Sequence, residues 1–245
     1  MSERILYSMF YDLLEQPHEA FKTEDGLAVV TPKAPAWLWL AQDQSDAKLF
    51  FESFLQRYKE PLVGLVAKED IAMTCARLYM RHAGCSYTYN DLVAYYLPPD
   101  AGGNLEACGE LRNFDVFAKP LISQWIQEFY EETLYTKPPE ESENPGTDVD
   151  ARLFILHDPE PVAMGMLASS KGKTCRLNLI YTPPEFRGKG YGKAMVSELV
   201  KIVRGNGQLP VLYTHEKNSN ANNLYQSLGF LEAGRLVEVR FEVVE

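Results

Sequence analysis

The residues most able to do chemistry lie in a glycine-rich segment. Glycine occupies alternate positions, Gly188, Gly190 and Gly192, and the cationic residues Arg187 and Lys189 precede and separate them. Glycine adopts backbone conformations that other residues avoid, and its missing side chain lets a ligand approach the amides. A helical pattern of apolar residues follows, so the loop enters a helix at its N-terminus, where unpaired N–H groups and the helix dipole favour an anion. The segment therefore predicts a phosphate-binding loop.

A short strand must lead into this loop. Residues 175–182 are partly alternating and apolar, with Leu177, Leu179 and Tyr181 on one face, and two prolines after Thr182 end the strand. The Gly-x-Gly-x-Gly spacing is not the Gly-x-Gly-x-x-Gly of dinucleotide-binding folds. Residues 172–174 imitate the end of a P-loop, but the upstream glycine that such a loop requires would fall at Leu167.

The loop belongs to a longer pattern. The run from Tyr181 to Gly192, Tyr-Thr-Pro-Pro-Glu-Phe-Arg-Gly-Lys-Gly-Tyr-Gly, resembles the Arg/Gln-x-x-Gly-x-Gly/Ala loop of the GNAT superfamily of acyl-CoA N-acyltransferases, in particular a bacterial subgroup. A second signature of that subgroup follows in order: Val211-Leu212-Tyr213-Thr214, Asn218, Asn222, Leu224-Tyr225 and Gly229-Phe230. The resemblance covers residues 108–245 and is sharp from residue 175 onward. It implies an α/β (α+β) GNAT fold, a mixed central sheet flanked by helices with a splayed strand pair.

The resemblance also implies a reaction, the direct transfer of an acetyl group from acetyl-CoA to an amine. The diphosphate is expected on the loop amides, the pantetheine beside the central strand, and the thioester in the gap between that strand and residues 209–213. A backbone N–H near Ile180 or Tyr181 would then polarise the thioester carbonyl. The cofactor-binding residues implied are Leu179, Ile180, Tyr181, Thr182, Arg187, Gly188, Lys189, Gly190, Tyr191, Gly192, Asn218 and Asn222.

Tyr225 matches the tyrosine that protonates the departing thiolate, and a phenol is a suitable donor at neutral pH. The alternative is a buried tyrosine that anchors its helix. Asn218 has two interpretations as well, a pantetheine contact or the N-cap of a helix. The general base stays unassigned, because the central strand offers Asn178 and Arg176, neither of which is a good base.

Three carboxylates, Glu128, Glu131 and Glu132, lie near the end of a predicted helix over residues 117–134. In the fold that the sequence resembles, this region borders the acceptor pocket, so these side chains are candidates for binding a cationic amine. A solvated helix face is the alternative meaning of such a cluster. Residues 137–150 are rich in Pro, Glu, Asn, Gly and Asp, which is typical of a mobile loop. We hypothesise that this acidic loop acts as a lid over a cationic acceptor.

The front half alternates helices and strands but contains no second phosphate loop. Helices are predicted over residues 4–15, 47–58 and 69–82 and strands over residues 26–30, 36–40 and 62–66, while residues 86–97 stay unassigned. Turn-forming residues concentrate at 98–104. The chain is therefore predicted to contain an accessory α/β domain at 1–103 and a catalytic domain at 104–245. The accessory domain is either a degenerate GNAT-like half or an unrelated cap.

Composition narrows the remaining possibilities. The 245 residues carry a formal charge of −10, which argues against non-specific nucleic-acid binding. The absence of a long apolar stretch or signal-peptide core predicts a cytoplasmic protein without membrane attachment. Four cysteines and four histidines are scattered, so neither a disulfide framework nor a metal site is expected. The expected partner is a small-molecule or peptide amine, and the chain could be a monomer or a homodimer. Two other functions stay open, a non-catalytic acyl-CoA-binding or regulatory pseudoenzyme and a nucleotide-binding protein.

Overall fold

The computed structural model describes residues 5–14, 18–41, 44–101, 108–114, 118–133, 152–168 and 172–242. Its helices are α1 (Met9–Leu13), α2 (Gln44–Arg57), α3 (Glu69–Ala83), α4 (Lys119–Thr133), α5 (Tyr191–Gly205) and α6 (Ser219–Ser227). Its strands are β1 (Glu19–Lys22), β2 (Gly26–Val30), β3 (Ala36–Leu40), β4 (Gly64–Ala67), β5 (Ser86–Tyr96), β6 (Glu110–Asn113), β7 (Arg152–His157), β8 (Pro161–Ala168), β9 (Thr174–Tyr181), β10 (Leu209–His215) and β11 (Leu231–Glu242). A short 3₁₀ turn, Pro184–Phe186, lies between β9 and α5.

The chain divides into two compact units. The first comprises Met1–Ala94, His215–Lys217 and Gly234–Glu245, and the second comprises Tyr95–Thr214 and Asn218–Ala233. This division and the predicted one at 103/104 differ in two places. The structural division falls near the end of β5, ahead of the turn-rich segment 98–104. The C-terminal residues also return to the first unit, because β11 pairs with β4 through Val237↔Ala67 and Val239↔Leu65.

The first unit is a mixed sheet with the strand order β1-β2-β3-β4-β11-β5. Strand pairs β1–β2, β2–β3 and β4–β11 are antiparallel, whereas β3 and β4 run parallel. Helices α2 and α3 bury their apolar faces in one core, where Phe51, Leu38 and Leu65 are fully enclosed. Helix α3 ends at Gly84, whose φ of 65° is the left-handed conformation that glycine supplies at a helix C-terminus.

The second unit is also a mixed sheet, in the order β10-β9-β8-β7-β6. Strands β9 and β10 are parallel and the other pairs are antiparallel. Helix α4 packs Ile122, Trp125 and Ile126 onto one face of this sheet. Helix α5 packs Met195 and Leu199 near Gly165 of β8, and neighbouring residues of one strand point to opposite faces. The helices therefore cover the two faces of the sheet.

Two irregularities in β9 shape the region before the glycine-rich loop. The register with β8 shifts, because Tyr181 pairs with Met164 while Asn178 pairs with Met166. Two residues of β9 thus face Gly165 alone, and the first of them, Leu179, has a φ of 48°. This is a β-bulge, a feature that re-aims side chains and bends its strand. On the other edge, β9 pairs with β10 only at its first three residues, ending at Val211↔Arg176, although β9 itself continues to Tyr181.

Strands β2 and β3 have the predicted bounds. Two segments of the first unit differ from the sequence interpretation. The helix predicted over 4–15 is interrupted: residues 5–6 and 9–13 are α-helical, and residues 7–8 form a turn between them, where Ser8 N donates to Ile5 O. Residues 86–96, left unassigned, form β5. The predicted mobile loop at 137–150 lies outside the described residues.

The close packing around Gly165, opposite the β-bulge, predicts that a larger residue at this position would overpack the core. A Cβ added at Gly165 would lie 2.9 Å from Leu199 Cδ1, 3.0 Å from Ile180 Cδ1 and 3.1 Å from Met195 Cγ. We expect Gly165→Ala to lower the free energy of unfolding by about 1–3 kcal/mol, because an overpacked core must shift its side chains. Urea unfolding measures this change. Gly205→Ala is the matched control, since its added Cβ meets nothing within 4 Å. An equal urea midpoint for both variants would contradict this account of the bulge.

Candidate active site

A groove of about 500 Å³ in the second unit brings most of the predicted site residues together. The predicted residues that line it are Ile180, Tyr181, Thr182, Arg187, Gly188, Gly190, Tyr191, Gly192, Asn218, Tyr225 and Glu132. Five further residues line it that the sequence interpretation did not name as site residues: Thr133, Phe186, Lys193, Ala221 and Leu224. Leu179, Lys189, Asn222, Glu128 and Glu131 are not part of its wall.

The glycine-rich loop forms one end of the groove. Gly188 and Gly190 have φ values of 77° and 87°, left-handed conformations that favour glycine. Helix α5 begins immediately afterwards, and the amide of Ala194 donates to Gly190 O at 3.0 Å. Within the described part of the chain, the backbone amides of residues 188–193 have no intramolecular acceptor. Six consecutive unpaired donors at a helix N-terminus are an anion-binding arrangement.

The space around these amides suits a phosphate group. A Cβ added at Gly188 or Gly190 would meet no atom within 4 Å, so the loop is open on its outer side. Cationic side chains border it: Lys193 lines the groove, and Lys189 Nζ lies 5.5 Å from the centre of the Phe186 ring. The donor set therefore fits a diphosphate by both hydrogen bonding and charge.

Arg187, just before the first glycine of the loop, forms hydrogen bonds to Thr182 and to Glu132. Its Nε donates to Thr182 O at 2.9 Å, and its guanidinium donates to Glu132 Oε2 at 2.6 Å. The Arg187–Glu132 ion pair is largely exposed, with side-chain exposures of 47% and 40%, so its contribution to stability is small. The guanidinium also lies 5.7 Å from the centre of the Tyr181 ring. Arg187 thus connects the loop to helix α4.

Tyr181 is a second connection between this region and helix α4. Its hydroxyl lies 2.9 Å from Glu128 Oε2 and 3.3 Å from Glu132 Oε1. Burial raises the pKa of the Tyr181 phenol well above its usual range, and the hydrogen bond to Glu128 and the charges of both carboxylates raise it further, against the opposing effect of Arg187. The phenol is therefore protonated at neutral pH. Glu131 takes no part in this network, since it accepts from Gln127 Nε2 at 2.9 Å on an exposed face.

Tyr225 forms another part of the groove wall. Its ring packs against Tyr95 and Phe230, with centroid distances of 6.2 Å and 5.8 Å. Among the described residues, its hydroxyl has no hydrogen-bond partner. Burial raises the pKa of the Tyr225 phenol well above its usual range. The side chain is thus a fixed, protonated donor whose hydrogen is not used inside the protein.

Sequence comparison agrees with this geometry. Residues 119–230 match the sequence model of the acetyltransferase (GNAT) family. These residues form a GNAT acetyltransferase domain. The family match supports acyl transfer in general as the chemistry of this domain. No curated protein matches the sequence.

Solved structures show the same fold over nearly the whole chain. A GCN5-related N-acetyltransferase from Kribbella flavida has a TM-score of 0.66 at 12% identity, covering 98% of this chain and 95% of its own. An acetyltransferase of the GNAT family from Colwellia psychrerythraea has a TM-score of 0.57 at 15% identity, covering 98% and 96%. A GCN5-related N-acetyltransferase-like protein from Streptococcus suis has a TM-score of 0.58 at 12% identity, again covering 98% and 96%. At these identities the likeness concerns the fold alone.

Helix α6 of the GNAT domain carries Tyr225, and asparagines fix its start. Asn218 is the N-cap, because its Oδ1 accepts from the amide of Ala221 at 3.1 Å. Asn222 Nδ2 donates to Asn218 O at 2.8 Å, and Asn222 Oδ1 accepts from the Tyr95 hydroxyl at 2.9 Å. The buried Tyr95 hydroxyl also accepts from Gln226 Nε2 at 3.2 Å. Both ends of the Asn222 amide are thus used within the protein, and its role as a cofactor contact stays a prediction.

The cap can be tested separately from ligand binding. We expect Asn218→Ala to lower the free energy of unfolding by about 1 kcal/mol, because an unpaired amide remains at the start of α6. Asn218→Ser is the matched variant, since serine also caps helices and should retain most of this stability. Thermal unfolding of both variants measures the cap. If Asn218→Ser instead loses affinity for acetyl-CoA while keeping its stability, Asn218 also contacts the cofactor.

Other predicted features have definite places in the structure. The Leu179 side chain packs into the core beside α4, so only its backbone could face a ligand. Among the described residues, no cluster of three or more His, Cys, Asp or Glu side chains could hold a metal ion. Likewise, no helix in the described ranges has the length and apolar character needed to cross a membrane.

Proposed function

We propose that the GNAT domain transfers an acetyl group from acetyl-CoA to the nitrogen of an amine. The observation that carries this proposal is the row of unpaired amides at residues 188–193, which enters the same groove as Tyr225. A diphosphate needs several converging N–H donors, and a leaving thiolate needs a proton donor. The groove supplies both.

Each part of the site has a defined task in this reaction. When bound, acetyl-CoA supplies an activated acyl thioester. The loop amides, with Lys189 and Lys193 nearby, hold the diphosphate by hydrogen bonds and charge. Beyond residue 176, β9 no longer pairs with β10, which leaves strand edge for amide groups of an extended ligand. A backbone N–H at Ile180 or Tyr181 polarises the thioester carbonyl.

Tyr225 completes the transfer. Its phenol is protonated at neutral pH and its hydroxyl has no partner in the described part of the protein, so it donates to the departing sulfur without first breaking a hydrogen bond. The rings of Tyr95 and Phe230 hold it in place. Thiolate protonation by a fixed donor contributes about 10²–10⁴ to the rate in enzymes generally.

Two assays test the proposal. Calorimetry should show binding of acetyl-CoA that coenzyme A displaces and that ATP and NAD do not. Thiol release should then appear with at least one amine of a panel containing a peptide with a free N-terminus, a lysine peptide, spermidine and an aminoglycoside. Binding without turnover on any amine would favour an acyl-CoA-binding pseudoenzyme. Displacement by ATP or NAD would favour a nucleotide-binding protein.

The proposed function also implies a class of acceptor and a cellular location. The acceptor is a small-molecule or peptide amine in the cytoplasm, and neither nucleic acid nor a membrane takes part. The chain acts as a monomer or a homodimer. For a cationic amine, Glu128 and Glu132 are better placed than Glu131, because the first two reach the Tyr181 hydroxyl beside the groove.

A further inference from the structure

Tyr181 and two carboxylates form a connected group at the groove, to which the proposed transfer assigns no proton-transfer step. Tyr181 lines the groove, and its hydroxyl contacts Glu128 at 2.9 Å and Glu132 at 3.3 Å. Its ring belongs to an apolar cluster with Ile122, Trp125 and Ile126 of α4, and Tyr181 pairs with Met164 on β8. Arg187 is the other charged residue beside the ring. A buried phenol thus joins the groove to carboxylates on a helix.

The two carboxylates differ in charge balance. Glu132 accepts from the Arg187 guanidinium at 2.6 Å, so its negative charge is offset. Glu128 accepts from the neutral amide of Gln124 at 2.8 Å and, among the described residues, has no ion pair. A carboxylate without a cationic partner is the better proton acceptor. Within the described part of the chain, Glu128 is therefore the terminus of the group that no cationic side chain occupies.

Acetyl transfer to an amine requires such a terminus. The attacking nitrogen must lose a proton as the N–C bond forms and the C–S bond breaks, and the usual strand positions, Arg176 and Asn178, offer no base. Tyr225 supplies a proton to the sulfur and cannot accept one at the same time. A separate acceptor is needed.

We propose that Tyr181 and Glu128 form a proton relay that deprotonates the acceptor amine. In one concerted step, the nitrogen gives its proton to Tyr181 Oη while the Tyr181 hydroxyl proton passes to Glu128 Oε2. The phenol is neutral before and after, the amine nitrogen loses one proton, and Glu128 gains it. The relay rests on the proposed acetyl transfer, because it has a task only if an amine is the nucleophile.

The local structure favours a relay over a simple base. The phenol is protonated at neutral pH because burial and the carboxylates raise its pKa, so it can accept a proton only by passing its own to Glu128. The β-bulge at Leu179 shifts the register of β9 just before Tyr181 and so helps to fix its direction.

The test compares Tyr181→Phe and Glu128→Gln with wild-type enzyme, using acetyl-CoA and the amine of the panel above that gives the fastest thiol release. Each variant should lower kcat about 10²-fold with little change in the KM for acetyl-CoA, and the acidic limb of the kcat–pH profile should be lost. The protonation of the amine itself affects the wild type and the variants equally, so it does not contribute to the difference between their kcat–pH profiles. Glu198→Gln is the control, since Glu198 pairs with Lys201 on α5 and does not line the groove.

A second readout does not depend on activity. In protein labelled with ¹³C at tyrosine Cζ, the Tyr181 resonance is identified by its loss in Tyr181→Phe. Its titration should move to lower pH in Glu128→Gln, because removing the carboxylate removes a cause of the raised pKa, whereas Glu198→Gln should leave it in place.

The outcomes separate the two proposals. Wild-type turnover with an unchanged acidic limb in both variants would overturn the relay and leave acetyl transfer standing. Acetyl-CoA binding without turnover of any amine by the wild type would overturn acetyl transfer, and the relay with it. An unchanged Tyr181 titration in Glu128→Gln would show that the two side chains are not coupled and would also overturn the relay.

Discussion

Replacing Tyr225 by phenylalanine should lower kcat by about two to three orders of magnitude while leaving the fold intact. The variant removes only the hydroxyl, which has no hydrogen-bond partner among the described residues. The ring keeps its contacts with Tyr95 and Phe230, so stability should not fall. Thiol release under saturating acetyl-CoA measures kcat, and thermal unfolding measures stability. The loss should appear in kcat rather than in the affinity for acetyl-CoA, because the hydroxyl acts on the leaving sulfur.

Tyr89→Phe is the control for this experiment, because Tyr89 is 51% exposed and belongs to the first unit. If Tyr225→Phe retains wild-type kcat, the thiolate obtains its proton elsewhere and Tyr225 serves as a helix anchor. If the variant instead loses stability, the hydroxyl has a structural partner and the rate cannot be interpreted.

Gly190→Ala should weaken acetyl-CoA binding about tenfold or more. Gly190 precedes α5 with a φ of 87°, and an alanine in the left-handed region costs about 1–2 kcal/mol. The added Cβ meets no atom within 4 Å, so the cost comes from the backbone rather than from a clash. We expect the loop to relieve this strain by changing its conformation, which moves the unpaired amides from their positions. Since 1.4 kcal/mol corresponds to a tenfold change in affinity, the loss is readily measured by calorimetry.

Gly205→Ala provides the comparison at the other end of the same helix. Its added Cβ also meets nothing within 4 Å, and its φ lies outside the left-handed region. This variant should bind acetyl-CoA like wild type. Equal affinity for Gly190→Ala would mean that the ligand does not depend on the conformation of the loop.

The parts of the site that the sequence predicts are local in the chain. The conformation of the glycine-rich loop depends on residues that follow one another, so Gly188, Gly190 and the start of α5 could be predicted from type and spacing alone. The same holds for Asn218, whose cap partner is three residues away. The GNAT resemblance extended this prediction to the fold and to Tyr225, because it supplied the arrangement of distant segments.

The contacts between distant segments could not be predicted in the same way. Tyr95 is 127 positions from Asn222 along the chain, and the sequence pattern leaves residues 86–97 unassigned. The Glu128–Tyr181 contact spans 53 positions and depends on the β-bulge at Leu179, for which a leucine with positive φ leaves no signal in the sequence. The return of β11 to the first unit is likewise a matter of strand pairing, which turn-forming residues at 98–104 cannot reveal.

The central claim is that the amides of residues 188–193 bind the diphosphate of coenzyme A. The most direct measurement is a ¹⁵N–¹H NMR titration of labelled protein with acetyl-CoA, with the amides of these six residues assigned. The account predicts that their proton resonances move downfield together and saturate with the calorimetric affinity, because each unpaired N–H acquires a charged acceptor. Saturable binding that leaves these six amides unmoved and shifts another region instead would contradict it.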